Sequence, residues 1–329
     1  RQRQMCIRDR PLSLALRVAS TTGADPADND QSAKQWLEKM IHAVNNLNYQ
    51  GTFIYLHDNQ LETMRIVHQV AAGKVRERLI SLNGAPREVI RDQDSVTCVI
   101  PDSQQVSVDK RPFSKKFLAL LPDDLHKLDT HYHFRWLGKG RVAGHNAKVV
   151  AIIPKDGYRY GYRFFLDDNS ALPLKSDLMN ERGKAVEQTM FTQLEVGTAE
   201  LMDIAEDIPP ISLRMELQEA PVRNQRLSLP TEGLWTFKGL PDGFGLSMRN
   251  TLPDPHSAEP IEQYVLTDGL ASLSVFVESA GQSESLQGVS LLGAINAWGG
   301  EVEGYQVTAV GEVPAITLLG VVDAMRLKH

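Results

Sequence analysis

From residue 51 to residue 196 the chain is cut into short segments of alternating apolar and polar residues, and the cuts fall at clusters of turn formers. "GTFIYLHD", "LETMRIVHQV", "KVRERLISL", "REVIRDQD", "SVTCVIPD" and "QQVSVDK" come first, separated by "HDNQ", "AAGK", "LNGAP" and "RDQD". "HYHFRWLGKG", "NAKVVAIIPKD", "GYRYGYRFFLDD", "LPLKSDLMNERG" and "AVEQTMFTQLEV" follow. A period of two sends successive side chains to opposite faces of a strand. Strands about 8 to 12 residues apart with turns between them predict an antiparallel meander. A sheet of about ten strands curls towards a barrel or splits, so its concave side needs cover.

Two helical stretches supply that cover. In "DQSAKQWLEKMIHAVNNLNY", Trp36, Leu37, Met40, Ile41, Val44 and Leu47 recur at helical spacing, with Asp30 or Ser32 as N-cap and His42 at the edge of the stripe. "SKKFLALLPDDLHKL" carries Phe117, Leu118, Leu121 and Leu125 as a shorter helical piece. Residues 198–230 hold four prolines and no sustained period, which reads as a connection between domains. The last hundred residues read as a second unit. Strands lie in "LWTFKGLPDGFGLSMRNTL", "IEQYVLTDG", "LASLSVFVESA" and "SLLGAINAWGGEVEGYQVTAVGEV", with "DGFG" and "GGEVEG" as turns. "PAITLLGVVDAMRLK" is a closing helix opened by Pro314, whose missing N–H is an orphan there anyway. A length of 329 residues agrees with two cores rather than one.

The N-terminus is basic, and "PLSLALRVAS" has the character of a signal-peptide apolar region interrupted by Arg17. It reads as a damaged or truncated secretion signal, preceded by residues that need not be native, and residues 1–30 are expected to be disordered. Two cysteines, one of them in that leader, leave Cys98 as the thiol of the folded part. Its place beside Val96 and Ile100 on a strand face reads as a small buried hydrophobe.

One segment carries more information than its neighbours. In "DGYRYGYRFFLDD", Tyr158, Tyr160, Tyr162 and Phe164 alternate with Arg159, Gly161, Arg163 and Phe165. As one strand this makes a column of four rings with both arginines on the other face. A net charge of −6 opposes a nucleic-acid platform, which needs a basic surface. Packing under a helix and lining of a greasy cavity remain open, and the phenolic hydroxyls favour a cavity with a polar rim. Phe53 and Tyr55 extend the same surface if the registers match.

Catalytic signatures fail. There is no nucleophile elbow, and "GKGRVA" matches a dinucleotide fingerprint but is followed by turn and strand residues. His131 and His133 share a strand face without further ligands to complete a zinc site. Asp123–Asp124 and Asp167–Asp168 read as turn formers. No enzyme, metal or cofactor is expected.

Several stretches resemble the MucB/RseB family. They are "NYQGTFIYLHDNQLETMRIVHQV", "GAPREVIRD", the run from "FRWLGKGRVAGHNAKVV" through "YRYGYRFFLDDNSALPLKSDLMNERGKAVEQTMFTQLEV", "YVLTDGLASLSVFVE" and "VTAVGEVPAITLLGVVDAM". The resemblance runs from about residue 33 to 329. It implies an α+β protein: a large antiparallel, unclosed β-barrel with capping helices, similar to lipoprotein carriers of the LolA type, over residues 31–200. A linker at 201–228 and a smaller α+β domain at 229–329 would follow. It further implies a periplasmic negative regulator of an envelope-stress sigma factor, binding the periplasmic part of an inner-membrane anti-sigma factor (MucA/RseA-like) and shielding it from regulated proteolysis. Lipid or lipopolysaccharide is the implied releasing effector. A periplasmic lipid or lipoprotein carrier is the alternative, disfavoured by the extra C-terminal domain, and self-association is left open. Limited proteolysis is expected to cut between about residues 198 and 230 and to leave two resistant pieces. Survival of one intact fragment across that region at high protease would refute two separable domains.

Overall fold

The fold is that of a computed structural model, which describes residues 26–92, 96–100, 105–109, 121–197, 233–252, 259–279 and 286–328. The expected linker at 201–228, the leader up to residue 25 and Phe117 and Leu118 lie outside the described residues, as does the side chain of Cys98.

Helix α1 (Pro26–Asn46) opens the large unit. It begins ahead of both expected caps and takes in residues 26–30. Asp30 lies inside the helix and meets Arg135 at 3.4 Å, while the Asn29 side chain accepts from the Trp136 N–H at 2.7 Å. The helix start is therefore fixed by the strand it lies against rather than by a local cap. Ala33, Leu37, Met40, Val44 and their neighbours form its buried stripe.

Strands β1 (Asn48–His57), β2 (Gln60–Ala71), β3 (Lys74–Ser81), β4 (Glu88–Arg91), β5 (Val96–Ile100) and β6 (Gln105–Asp109) form one meander. A second contains β7 (Tyr132–Val142), β8 (His145–Pro154), β9 (Gly161–Asp167), β10 (Pro173–Met179) and β11 (Ala185–Gly197). Pairing of β1 with β11 fuses them into an eleven-stranded antiparallel sheet whose ends are β6 and β7. Among the described residues these two edges do not pair, so the barrel is open. Where β1 meets β11 the register slips at Thr52/Phe53, and Gly51 lies so close to the Gln193 carbonyl and the Phe191 ring that a Cβ there would collide with both. The concave face carries Phe53, Ile66, Phe134, Val150, Phe164 and Phe191 into one core under α1, which packs on β7 and β8. The chain crosses from β6 to β7 through a 3-10 turn, Leu125–Leu128, capped by the Asp124 carboxylate, and Leu121, Leu125 and Leu128 are buried in the same core.

The smaller unit is an antiparallel sheet in the order β13 (Gly245–Leu252), β14 (Ile261–Thr267), β15 (Ser272–Ser279), β18 (Tyr305–Gly311), β17 (Ile295–Val302) and β16 (Gly288–Leu292). Helix α2 (Ala315–Asp323) buries Thr317, Leu318, Val321 and Val322. The closing helix is shorter than the sequence predicts. After Asp323 the chain extends, and β19 (Met325–Leu327) pairs with β12 (Trp235–Phe237). The expected turn "GGEVEG" also shrinks. Gly299 and Gly300 belong to β17, and only Glu303–Gly304, at φ 49° and 83°, makes the turn.

The units share their cores. Leu270, in the turn after β14, is buried in the core of the large unit, and Tyr158 packs against the core of the small one. Between them Arg159 is 1% exposed. Its Nη1 donates to Asp268 Oδ2 at 3.0 Å, its Nε to Asp156 Oδ1 at 3.1 Å and its Nη2 to the Asp242 carbonyl. Asp268 also accepts from the Tyr132 hydroxyl at 2.7 Å and from the backbone N–H groups of Leu270 and Ala271 at 2.8 and 2.7 Å. Removing one member of such a buried pair leaves the other charge uncompensated, at a cost of about 3–5 kcal/mol. Arg159→Leu is therefore expected to destabilise the chain by that amount in urea titration. A loss under about 1 kcal/mol would show that the pair does not hold the units together.

Candidate functional site

The tyrosine column does not survive as a column. Asp156 accepts a hydrogen bond from the Tyr158 N–H at 2.9 Å, and this local turn occupies the backbone before a strand can form. Strand β9 starts at Gly161, where a Cβ would run into the Ile152 carbonyl. Tyr158 and Tyr160 precede the strand and serve the junction. The Tyr158 carbonyl accepts from Thr317 Oγ1 at 2.5 Å. Tyr160 packs on Leu178 and Ala294, and its hydroxyl accepts from Asn296 Nδ2 at 2.9 Å. Arg159, expected on the open face of the strand, is instead the buried guanidinium between the units. Arg163 keeps the expected opposite face, donating from Nε to Asp177 Oδ2 at 2.8 Å.

The remaining four residues come together. Tyr162 and Phe164 stack with centroids 5.7 Å apart and planes 6° apart. Across the sheet, Phe164 is in register with Ser176, Ser176 with Thr189, and Thr189 with Tyr55. Phe53 lies two residues before Tyr55 and meets Phe191 edge to face at 5.7 Å. Phe53, Tyr55, Tyr162 and Phe164 thus share the concave face, with both phenylalanines fully buried and both tyrosines near its rim.

At that rim lies a cavity of about 260 Å³. Tyr55, Tyr162, Phe164, Leu178 and Glu187 line it from the sheet, and Glu312 from the turn before α2. The Tyr55 hydroxyl donates to Glu187. Burial raises the Glu187 carboxyl above its ordinary value, and the Glu312 charge adds to this, while the Tyr55 hydrogen bond and His57 act against it. Burial is also the main cause of the elevation of both tyrosine hydroxyls. Neither glutamate stands out in the sequence, because 125 positions separate them (312 minus 187) and only the docking of the units makes them neighbours.

A second cleft, about 800 Å³, opens between the end of α1 and the turn after β9. Trp36, Ala43, Leu47, Leu194 and Val196 give it apolar walls, and Lys39, His42, His145 and Asp167 a polar lip. Lys39 and Lys148 lie 4.8 and 5.7 Å from the Trp36 ring centroid. Asp167 accepts from the N–H of Ser170 at 2.8 Å, a turn former as expected. His131 faces Asp242 at 3.8 Å while His133 is exposed, and among the described residues no group of three possible metal ligands converges.

The MucB/RseB N-terminal domain model matches residues 32–221, and the MucB/RseB C-terminal domain model matches residues 230–326. The chain belongs to the MucB/RseB family. Its relatives include the sigma factor AlgU regulatory protein MucB of Pseudomonas aeruginosa, 33% identical over 93% of this chain and 94% of that one. The sigma-E factor regulatory protein RseB of Haemophilus influenzae is 29% identical over 96% and 97%. Among solved structures, the Pseudomonas aeruginosa MucA/MucB complex matches with a TM-score of 0.70 at 31% identity, covering 91% of this chain and 99% of that one. MucB alone, also 31% identical, matches with a TM-score of 0.59 over 91% and 98%. These family relatives are regulatory proteins.

Glu187 provides a test of the rim. An unfolded glutamate titrates near 4.5 and the folded one higher. Between the two values the folded chain keeps a proton that the unfolded chain has lost, so this group's contribution to stability is present at low pH and declines as pH rises through the folded value. Glutamine keeps an acceptor for Tyr55 without the charge. The melting temperature of Glu187→Gln relative to the parent is expected to rise from pH 4.5 to neutrality and to be flat below. A constant difference across that range would place Glu187 in water.

Proposed function

We propose that this chain is a periplasmic negative regulator that binds the periplasmic part of an inner-membrane anti-sigma factor and shields it from the first regulatory protease. The envelope-stress sigma factor then stays sequestered. The observation that carries this reading is the likeness through both domains to MucB, a protein solved in complex with MucA(peri). The TM-scores of 0.70 and 0.68 to the two complexes, against 0.59 to MucB alone, add to it.

Lipid, lipopolysaccharide included, is the proposed releasing effector. The apolar walls of the cleft beside α1 and the Lys39 ammonium on its mixed polar lip support this, because they offer an acyl chain and an anionic headgroup separate surfaces. The concave rings Phe53, Tyr55, Tyr162 and Phe164 are proposed as further acyl-chain contacts, apart from this cleft on the concave face of the sheet. Tyr158 and Tyr160 are assigned to the junction instead. Each buried ring contributes on the order of 1.5 to 3 kcal/mol.

One reconstitution tests both parts. The anti-sigma segment from the same genome, incubated with its protease, is expected to survive when this chain is present and to be cut again when lipopolysaccharide is added. Replacing Lys39 and Lys148 by glutamine is expected to preserve protection and to raise the lipopolysaccharide needed several-fold. Cleavage at the same rate with and without the chain would reject the regulator. Protection that lipopolysaccharide leaves untouched would reject the effector alone.

A further inference from the structure

We propose that the cavity between the two units is a binding site for an organic cation, a guanidinium or primary ammonium group on an aliphatic stem. This goes beyond the partner reading above, which stands or falls independently of it.

The chemistry of the walls selects the guest. Tyr55, Tyr162 and Phe164 present rings, and Pro173 and Leu178 present aliphatic surface. Among the described residues, the charged side chains lining the space are Glu187 and Glu312, one from each unit, and no lysine or arginine lines it. Ring faces and carboxylates both attract a cation. The hydroxyl of Tyr162, on the cavity wall near the rim, can accept from a guest N–H. The Tyr55 hydroxyl spends its proton on Glu187 and keeps lone pairs for the same purpose.

A metal ion fits poorly. Two carboxylates among rings fall short of the six to eight oxygens that calcium takes, and no third ligand converges among the described residues. Size points the same way. A volume of about 260 Å³ lies below the roughly 300–1,000 Å³ of pockets for drug-sized ligands, which leaves room for a guest the size of one side chain.

The scaffold holds the two acids in opposition. Asn296 Nδ2 donates both to the Tyr160 hydroxyl at 2.9 Å and to the Val313 carbonyl at 2.7 Å, so the turn bearing Glu312 is tied to the chain leading into β9. Glu187 is fixed by β11 and by Tyr55. A cation between them relieves their mutual repulsion and links the units at a second point beside the Arg159 pair. The guest is either a basic side chain of a bound polypeptide or a free diamine-like cation.

Calorimetric titration of the full chain at pH 7.5 and low salt decides the matter. The probes are agmatine, a doubly capped Ala-Arg-Ala tripeptide and the neutral analogue n-butylurea. Agmatine or the tripeptide is expected to bind, n-butylurea not to bind, and added salt to weaken the interaction. The tighter of the two cationic probes identifies the source, peptide side chain or free cation. Glu187→Gln and Glu312→Gln are each expected to weaken binding roughly tenfold, the scale of one charge-assisted hydrogen bond. Because these glutamates lie on different units, one variant remains informative if the other folds poorly. Failure of both cationic probes to bind, equal binding of n-butylurea, or parental affinity in the folded glutamine variants would overturn the proposal.

Discussion

A guanidinium taken out of water is costly unless every N–H it buries finds an acceptor and its charge finds a counterion. Each of the three nitrogens of Arg159 finds an acceptor, and its charge a counterion, only because two units meet around it. Asp156 comes from its own turn, and Asp268 and the Asp242 carbonyl come from the other side. The rings of Tyr132 and Phe244 lie over its plane, with centroids 5.6 and 5.2 Å away. Neither unit alone can supply this environment, so the charge makes the relative placement of the units specific where greasy contact alone would tolerate sliding.

Much of the junction follows from that placement. Leu270 is two residues beyond Asp268, and the same carboxylate that holds the arginine accepts the Leu270 N–H, which directs this side chain into the neighbouring core. Tyr158 precedes Arg159 and enters the opposite core. A few residues away, Tyr160 and Asn296 repeat the pattern with neutral groups. The rim cavity, with one glutamate from each unit, exists only while these contacts hold.

The open barrel and the junction divide the work. An eleven-stranded sheet with unpaired ends must cover its concave face, and α1 and the 3-10 turn cover much of it. Among the described residues, two accessible parts are the cleft at the end of α1 and the rim beside the small unit. Both combine apolar walls with charged lips, Lys39 beside Asp167 and Asp168 at the first and, among the described residues, only Glu187 and Glu312 at the second.

Local pattern was enough for much of this. Period-two segments between turn formers gave every strand of the large sheet, since each must present one apolar face wherever it pairs. The stripe of α1 and Pro314 at the start of α2 were legible for the same reason, and quoted stretches sufficed for the family resemblance. The failures share one cause. The start of α1 depends on Asn29 and Asp30 meeting β7, and β19 on Trp235–Phe237 lying alongside it. Tyr158 and Tyr160 fit a strand by spacing, but the turn at Asp156 and the small unit claimed them first. Sequence by itself determined which residues must leave water, because apolar periodicity is a local property. Only the tertiary structure decided which charges meet, because Arg159 and Asp268, buried together, and Glu187 and Glu312, facing the rim cavity, acquire their partners from more than a hundred residues away.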